Sequence, residues 1–138
     1  MFETLTESAR SCVGSSKYVL YSGIDKAPVE VDCSSFTKWL YSHLGVEIPR
    51  LAREQNDHCS IHFPPQDALP GDLVFRKAYC PRYEVCPILD IGHVGFVTME
   101  KTVIHASWDR GGVVEESLDN FFDFEARGLW CGRLPDLR

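Results

Sequence analysis

Apolar side chains recur every three or four positions in two stretches of the N-terminal half of the chain, residues 3–13 and residues 34–44. This spacing predicts two amphipathic helices, each with one buried side. Asp32 is a favourable N-cap residue for the second helix, and Gly45 is a favourable residue to end it. The first half of the chain is therefore expected to be mainly helical.

The pattern changes after residues 69–72, where Leu-Pro-Gly-Asp is a strong turn signal. Short runs of β-branched and aromatic residues then predict strands, at residues 72–75, 92–98, 102–107, 113–116 and 129–134. A short acidic helix is expected at residues 118–124. Helices first and strands later predict an α+β fold in which an antiparallel sheet packs against the helix of residues 34–44.

Composition limits the classes of protein to consider. The 138 residues, 44% of them hydrophobic, suffice for one domain and are too few for two of ordinary size. The net charge of −6 and the scattered positions of 14 Lys and Arg residues argue against a nucleic-acid partner. No apolar run approaches the roughly 18 residues of a membrane span, and the acidic start differs from a secretory signal peptide. We expect no membrane span, and either a cytoplasmic location or export by a route that does not use such a signal.

Cys33 lies at the start of the second predicted helix. Unpaired backbone N–H groups and the positive end of the helix dipole at such a position favour a thiolate over a thiol. The N–H of Cys33 or of Ser34 is also a candidate donor to an oxyanion. Cys33 is therefore a candidate nucleophile, and a nucleophilic thiol needs a base.

His93 and His105 lie in two predicted strands that follow one another along the chain. Paired positions in an antiparallel hairpin have a constant sum, so these two odd-numbered residues share a face only when the connecting loop has an odd number of residues. A three-residue loop at residues 98–100 sets the histidines directly opposite each other. With an odd loop, both histidines are expected to face Cys33.

Five sequence blocks, in order, resemble the NlpC/p60-type cysteine peptidases of the papain-like superfamily, most of them bacterial cell-wall endopeptidases. The nucleophile block is Asp32-Cys33-Ser34-Ser35-Phe36, and the base block is Gly92-His93-Val94-Gly95-Phe96-Val97. The other blocks are residues 44–50 with Gln55 after them, residues 70–75, and Ile104-His105-Ala106-Ser107. The likeness runs from about Tyr18 to Val114.

The resemblance implies a role for each of these residues. Cys33 would be the nucleophile, His93 the general base, and His105 the residue that orients the ring of His93. The family also has a tyrosine near its oxyanion site, for which the spacing favours Tyr21 over Tyr18, with neither excluded. The residues 1–138 would then form a single NlpC/p60-like catalytic domain.

The chemistry implied by the resemblance is hydrolysis of an amide through a thioester, from a resting cysteine–histidine ion pair, without metal or cofactor. The partner would be peptidoglycan or a muropeptide, cleaved between γ-D-glutamate and the diamino acid, with the bacterial cell wall as the target. Another amide or thioester substrate, and a domain that binds the cell wall without cleaving it, remain alternatives. The sequence does not indicate an oligomeric state.

Two departures from the family pattern lie beside the expected cleft. Ser35 stands where a glycine is usual, and Ser22-Gly23 replaces a double glycine. The stretch 76–91 is also longer than expected and looks like an insertion over the rim. Its two cysteines, together with Cys59 and His62, allow a zinc site of Cys59, His62, Cys80 and Cys86. A Cys80–Cys86 disulfide and unpaired thiols are the alternatives.

Overall fold

The computed structural model describes residues 1–78 and 91–135 of the chain. The helices in this part are α1 (Phe2–Ser11), α2 (Cys33–Ser42), α3 (Ala52–His58) and α4 (Leu118–Asp123). The strands are β1 (Lys17–Tyr18), β2 (Glu30–Val31), β3 (Ile61–Phe63), β4 (Leu73–Lys77), β5 (Ile91–Val97), β6 (Thr102–Ser107), β7 (Gly112–Ser117) and β8 (Gly128–Arg133). None of these helices is long and apolar enough to cross a membrane.

The strands form one sheet in the order β2-β1-β7-β6-β5-β4-β8-β3. Neighbouring strands are antiparallel except for β1 and β2, which are parallel. The predicted α+β class is thus confirmed, and β6 has the predicted bounds. The short strands β2 and β3, which close the two ends of the sheet, were not predicted from the sequence.

Helix α2 begins where the sequence predicts because its first turn carries a reciprocal cap. The carboxylate of Asp32 accepts the Ser35 N–H at 2.9 Å, and the Ser35 hydroxyl accepts the Asp32 N–H at 2.9 Å. This capping box satisfies two backbone donors that the helix itself leaves unpaired. After the helix, Gly45 has φ +69°, a left-handed conformation that glycine adopts without strain.

The two faces of the sheet are covered by different helices. On one face, Val94, Phe96, Ile104 and Ala106 pack in a core that also contains Leu5 of α1 and Phe36 and Leu40 of α2. On the other face, Val97 and Val103 pack against Phe121 of α4. Because side chains alternate along a strand, His93 and His105 belong to the face of Phe121. The body of α2 therefore packs on the face opposite the histidine rings, with Cys33 at its first turn. That both histidines face Cys33 stays a prediction.

Candidate active site

The start of α2 brings Cys33 to the start of β5. Cys33 is the first residue of the helix and is 7% exposed. Its sulfur lies 3.6 Å from the carbonyl oxygen of Gly92. A side chain at Gly92 would not fit, because a Cβ there would lie 2.2 Å from the carbonyl oxygen of Ala78. Gly92 thus lets β5 approach Ala78, the residue after β4, closely at the position before His93.

Arg50 holds the first turn of α2 in place. Its Nη1 and Nη2 donate to the two oxygens of the Asp32 carboxylate at 3.0 and 2.7 Å, which is a bidentate pair. The same guanidinium donates to the Ser34 hydroxyl at 2.9 Å and to the Ser22 carbonyl at 2.8 Å. Arg50 therefore ties the residues on both sides of Cys33 to the loop that precedes β2.

Gln55 of α3 also binds the start of α2. Its side-chain amide donates to the carbonyls of Ser34 and Pro49, at 2.9 and 2.8 Å, and its oxygen accepts the Thr37 hydroxyl at 2.7 Å. Gln55 is fully buried. Arg50 and Gln55 were recognised in the sequence only as parts of matching blocks, and the contacts show that they position the helix start.

The two histidines form a direct pair, with His93 Nε2 lying 2.7 Å from His105 Nδ1. The parity argument is confirmed, since Val97 pairs with Val103 and the pair sum is even. The predicted register is wrong by one step, because Thr98 closes onto Thr102 and the loop is residues 99–101. The two threonine hydroxyls lie 2.7 Å apart and hold this closure. The histidines are consequently diagonal neighbours rather than directly opposite.

Glu116 of β7 completes the set, and the sequence reasoning missed it. Its Oε2 accepts a very short hydrogen bond from His105 Nε2, and Arg110 Nη2 lies 3.5 Å from its Oε1. Glu116 pairs with Val103, which puts it on the same face as His105. The run Val113-Val114-Glu115-Glu116 predicts only a strand. Finding Glu116 beside His105 requires knowing how β7 is aligned with β6.

These contacts assign the protons on the two rings. The carboxylate of Glu116 accepts the N–H at His105 Nε2, so Nδ1 of the neutral ring has the lone pair. His105 Nδ1 can then accept only from an N–H at His93 Nε2. This leaves the lone pair of His93 on Nδ1, the nitrogen not engaged with His105.

Burial sets the charge of these rings. It holds the pKa of His93 well below its ordinary value of 6.5, and the nearby His105 and Arg76 lower it further. Burial also lowers the pKa of His105, although the Glu116 carboxylate opposes this, and the bond to His105 lowers the pKa of Glu116. The neutral imidazole is therefore favoured at His93, whereas the expected resting cysteine–histidine ion pair requires the charged one.

A cleft of about 550 Å³ opens beside His93. Its described lining includes Gly92, His93, Tyr18 and Arg76, and it does not include Tyr21. Tyr21 is 37% exposed and donates its backbone N–H to Asp32 at 3.2 Å. Of the two candidate tyrosines, Tyr18, the one that the spacing favoured less, lines the cleft.

The other predicted metal and disulfide residues lie elsewhere or cannot be placed. Within residues 1–78 and 91–135, no group of three or more His, Cys, Asp or Glu side chains is arranged to hold a metal ion. Cys80 and Cys86 fall outside the described residues. Cys59 and Cys131 are buried thiols, and burial raises the pKa of each to about 12, so both are protonated at neutral pH.

Comparison with known proteins finds a probable endopeptidase and proteins named NlpC or NlpC/p60. A protein of Corynebacterium glutamicum named as a probable endopeptidase is 29% identical over 117 residues, which cover 85% of this chain and 48% of that protein. This chain therefore spans about half the length of that relative. Of the solved structures, NlpC1 from Trichomonas vaginalis has a TM-score of 0.75 at 24% identity, covering 96% of this chain and 43% of that one.

A second solved structure matches along nearly its whole length. The NlpC/p60 domain of the peptidoglycan hydrolase SagA has a TM-score of 0.73 at 21% identity, covering 97% of this chain and 99% of that chain. The α+β fold is therefore the papain-like fold of these domains. The sequence model of the NlpC/P60 family matches residues 15–125, which include Cys33, His93, His105 and Glu116. The chain belongs to the NlpC/P60 family.

Proposed function

We propose that this chain is a cysteine peptidase that hydrolyses an amide bond in peptidoglycan or in muropeptides. The observation that carries the proposal is a chain of hydrogen bonds from Glu116 through His105 to His93. His93 directly follows Gly92, whose carbonyl oxygen contacts the Cys33 sulfur. Family membership and the similarity to a probable endopeptidase and a peptidoglycan hydrolase support the choice of substrate.

The proposed reaction begins with proton transfer from the Cys33 thiol to His93 Nδ1. The sulfur attacks the amide carbonyl carbon, and the carbonyl electron pair moves to the oxygen. When the tetrahedral intermediate collapses, the C–N bond breaks, His93 gives its proton to the leaving amine, and a thioester remains on Cys33. Water then attacks the thioester with His93 as base, which releases the carboxylic acid and restores the thiol.

Glu116 and His105 act through His93 in this proposal. The ring of His93 becomes positive when it takes the thiol proton, and burial makes that charge costly. His105 accepts the Nε2–H of His93, and the Glu116 carboxylate places a negative charge at the far end of the chain. Both are positioning residues that stabilise the charged intermediate and keep Nδ1 aimed at the sulfur.

The oxyanion has two sources of donors in the proposal. The first candidates are the backbone N–H groups of Cys33 and Ser34, in the first turn of the helix. A tyrosine hydroxyl is the second donor, and we favour Tyr18 because it lines the cleft beside His93, with Tyr21 as the alternative that the spacing suggests. The variants Tyr18→Phe and Tyr21→Phe distinguish these choices, because only the variant that removes the oxyanion donor should lower the rate of hydrolysis.

The bond proposed for cleavage joins γ-D-glutamate to the diamino acid of the stem peptide, with residues 1–138 acting as one catalytic domain. The test is incubation of the protein with purified sacculi and, separately, with a free stem tetrapeptide, followed by mass spectrometry of the products. We expect new fragments at that bond with the wild type and none with Cys33→Ala. Failure to cleave either substrate, by protein whose Cys33 is alkylated faster than a model thiol at pH 6, would redirect the proposal to another amide or thioester.

A further inference from the structure

Arg76 is a buried cation in the wall of the cleft. It lies on β4, opposite His93 of β5 in the register of the sheet, so the two side chains share a face. Arg76 is 7% exposed, yet it lines the cleft together with His93. Its charge is therefore shielded from bulk water while facing the space where a substrate would lie.

The partners of Arg76 differ from those of the other part-buried arginines in the described residues. Arg50 is paired with the Asp32 carboxylate and Arg133 with the Asp72 carboxylate, each through two hydrogen bonds. Arg76 donates only to the carbonyl of Phe121, at 3.3 Å, and within residues 1–78 and 91–135 it makes no ion pair. Its nearby acidic groups include Asp109 and Glu116, and Glu116 is engaged by His105 and Arg110.

Two aromatic rings hold the guanidinium of Arg76. Its carbon lies 4.4 Å from the ring centroid of Phe121 and 4.5 Å from that of Phe124. Such stacking uses the flat face of the guanidinium and leaves its N–H edges for hydrogen bonds, and these edges match a carboxylate bidentately. A buried cation without a carboxylate in direct contact is costly to the fold, and a carboxylate of the substrate would supply that contact.

We propose that Arg76 binds a carboxylate of the substrate, on a residue adjacent to the amide that is cleaved. The proposal rests on the proposed peptidase function and narrows its substrate class to peptides that carry an anion next to the scissile bond. A γ-linked glutamate has such a group, because linkage through the side chain leaves its α-carboxylate free. The same arrangement disfavours a substrate in which that carboxylate is a carboxamide.

The principal test compares two synthetic stem peptides that differ only in this group, one with the α-carboxylate and one with the α-carboxamide. For the wild type we expect kcat/KM to be about 10- to 100-fold higher for the carboxylate peptide, as befits a desolvated charge-assisted pair. In Arg76→Met the two peptides should be cleaved with similar kcat/KM. Equal losses on both peptides in Arg76→Met would overturn the proposal, since a purely structural role predicts that result.

A matched control removes a different cation of the same cleft. Arg127 also lines the cleft but is already paired with Glu125, at 2.9 Å. Arg127→Met should leave the ratio between the two peptides unchanged. If Arg76→Met fails to fold, Arg76→Lys serves instead, because it keeps the charge and loses the bidentate fork. We expect the ratio to fall at least threefold in Arg76→Lys, and an unchanged ratio would contradict the assignment.

A second measurement does not depend on peptide hydrolysis. Iodoacetate and iodoacetamide alkylate a thiolate by the same displacement of iodide, and only iodoacetate carries a carboxylate. We expect the rate ratio of iodoacetate to iodoacetamide at Cys33 to be higher in the wild type than in Arg76→Met or Arg76→Lys. A wild type that cleaves neither peptide but shows this difference would reject the peptidase proposal and keep the carboxylate site, whereas equal ratios would reject the site.

Discussion

Two groups of buried polar side chains meet near Cys33, and they are built differently. The helix-start network consists of Asp32, Ser34, Arg50 and Gln55, and the histidine relay consists of His93, His105 and Glu116. In the network the Arg50 guanidinium donates directly to the Asp32 carboxylate, and it also donates to the backbone carbonyl of Ser22. In the relay the carboxylate lies two rings away from the nitrogen proposed to react.

The difference indicates what each group does. A bidentate ion pair that also binds backbone fixes geometry and takes no part in proton transfer, because a guanidinium serves as a permanent cation in proteins. A relay of two neutral rings, with its single carboxylate at the far end, controls which nitrogen has a lone pair and where a positive charge can form. Disrupting the network should therefore mainly lower stability, and disrupting the relay should mainly lower activity.

The largest effect should come from His93→Gln. We expect the rate of peptide hydrolysis to fall by about 10³-fold or more, because the proposed mechanism passes the thiol proton to His93 Nδ1. Alkylation of Cys33 by iodoacetamide should slow as well, and the free energy of unfolding should change much less than the rate. A variant that keeps a tenth of the wild-type rate would show that His93 is not the base.

The next effect should be on stability, in Arg50→Met. Asp32 would remain buried without its counter-charge, so we expect the free energy of unfolding in urea to fall by about 3 kcal/mol. Arg10→Met is the matched control, because Arg10 forms its ion pairs with Glu100 and Glu115 at the exposed surface. It should change stability far less. Similar losses in both variants would contradict the contrast between the network and ordinary surface pairs.

Glu116→Gln should lower kcat by about 10- to 100-fold and leave KM nearly unchanged, because an amide lacks the negative charge that stabilises the protonated relay. Without that charge, the acidic limb of the kcat profile should move to lower pH. The neighbouring Glu115 bonds Arg10 and Thr102 and does not contact the relay, so Glu115→Gln should preserve both kcat and the pH profile. Equal effects of the two variants would mean that Glu116 has only a structural role.

The relay should also make stability depend on pH. An unfolded histidine takes a proton near pH 6.5, whereas burial lowers the pKa of His93 and of His105 in the folded protein. Below pH 6.5 the unfolded state therefore binds more protons, and stability falls as the pH falls. Each group contributes a slope of up to about 1.4 kcal/mol per pH unit until its folded pKa is reached.

Urea unfolding at pH 7.5, 6.5 and 5.5 measures this slope. His93→Gln should make it shallower, because one of the two groups is removed. His43→Gln, at the exposed end of α2, should keep the slope of the wild type. A slope that is the same in all three proteins would show that the histidine relay does not set the acid sensitivity of the fold.

The sequence predicted those parts of the molecule that local chemistry determines. Asp32 at the start and Gly45 at the end of α2 act as predicted, because capping and left-handed turns depend on one or two residues. Parity showed only that His93 and His105 share a face if the loop between their strands is odd, and the structure supplied the odd loop. What local chemistry does not determine is which strand lies next to which, so the place of Glu116 beside His105 was found only in the structure.

Burial was the other property hidden from the sequence. Arg76 reads as an ordinary polar residue of a strand, and its position over Phe121 and Phe124 requires α4 and the turn after it to fold back onto the sheet. The same packing buries His93 and lowers its pKa, which disfavours the charged ring expected for its resting state. The sequence indicated candidate reactive groups, whereas the environment that sets their protonation depends on contacts between residues far apart along the chain.

The smallest effect is expected for Ser35, at a position where the NlpC/P60 family usually has glycine. The structure uses its hydroxyl to accept the Asp32 N–H, so a glycine or alanine would lose one half of the capping box. We expect Ser35→Ala to lower the free energy of unfolding by about 1 kcal/mol, because a buried donor loses its partner. Ser42→Ala, at the exposed end of the same helix, should lower it less. Because Ser35 acts on the helix start and not on the relay, hydrolysis at saturating substrate should stay within twofold of the wild type; a tenfold loss of kcat in Ser35→Ala would show that the network and the relay are not separate in function.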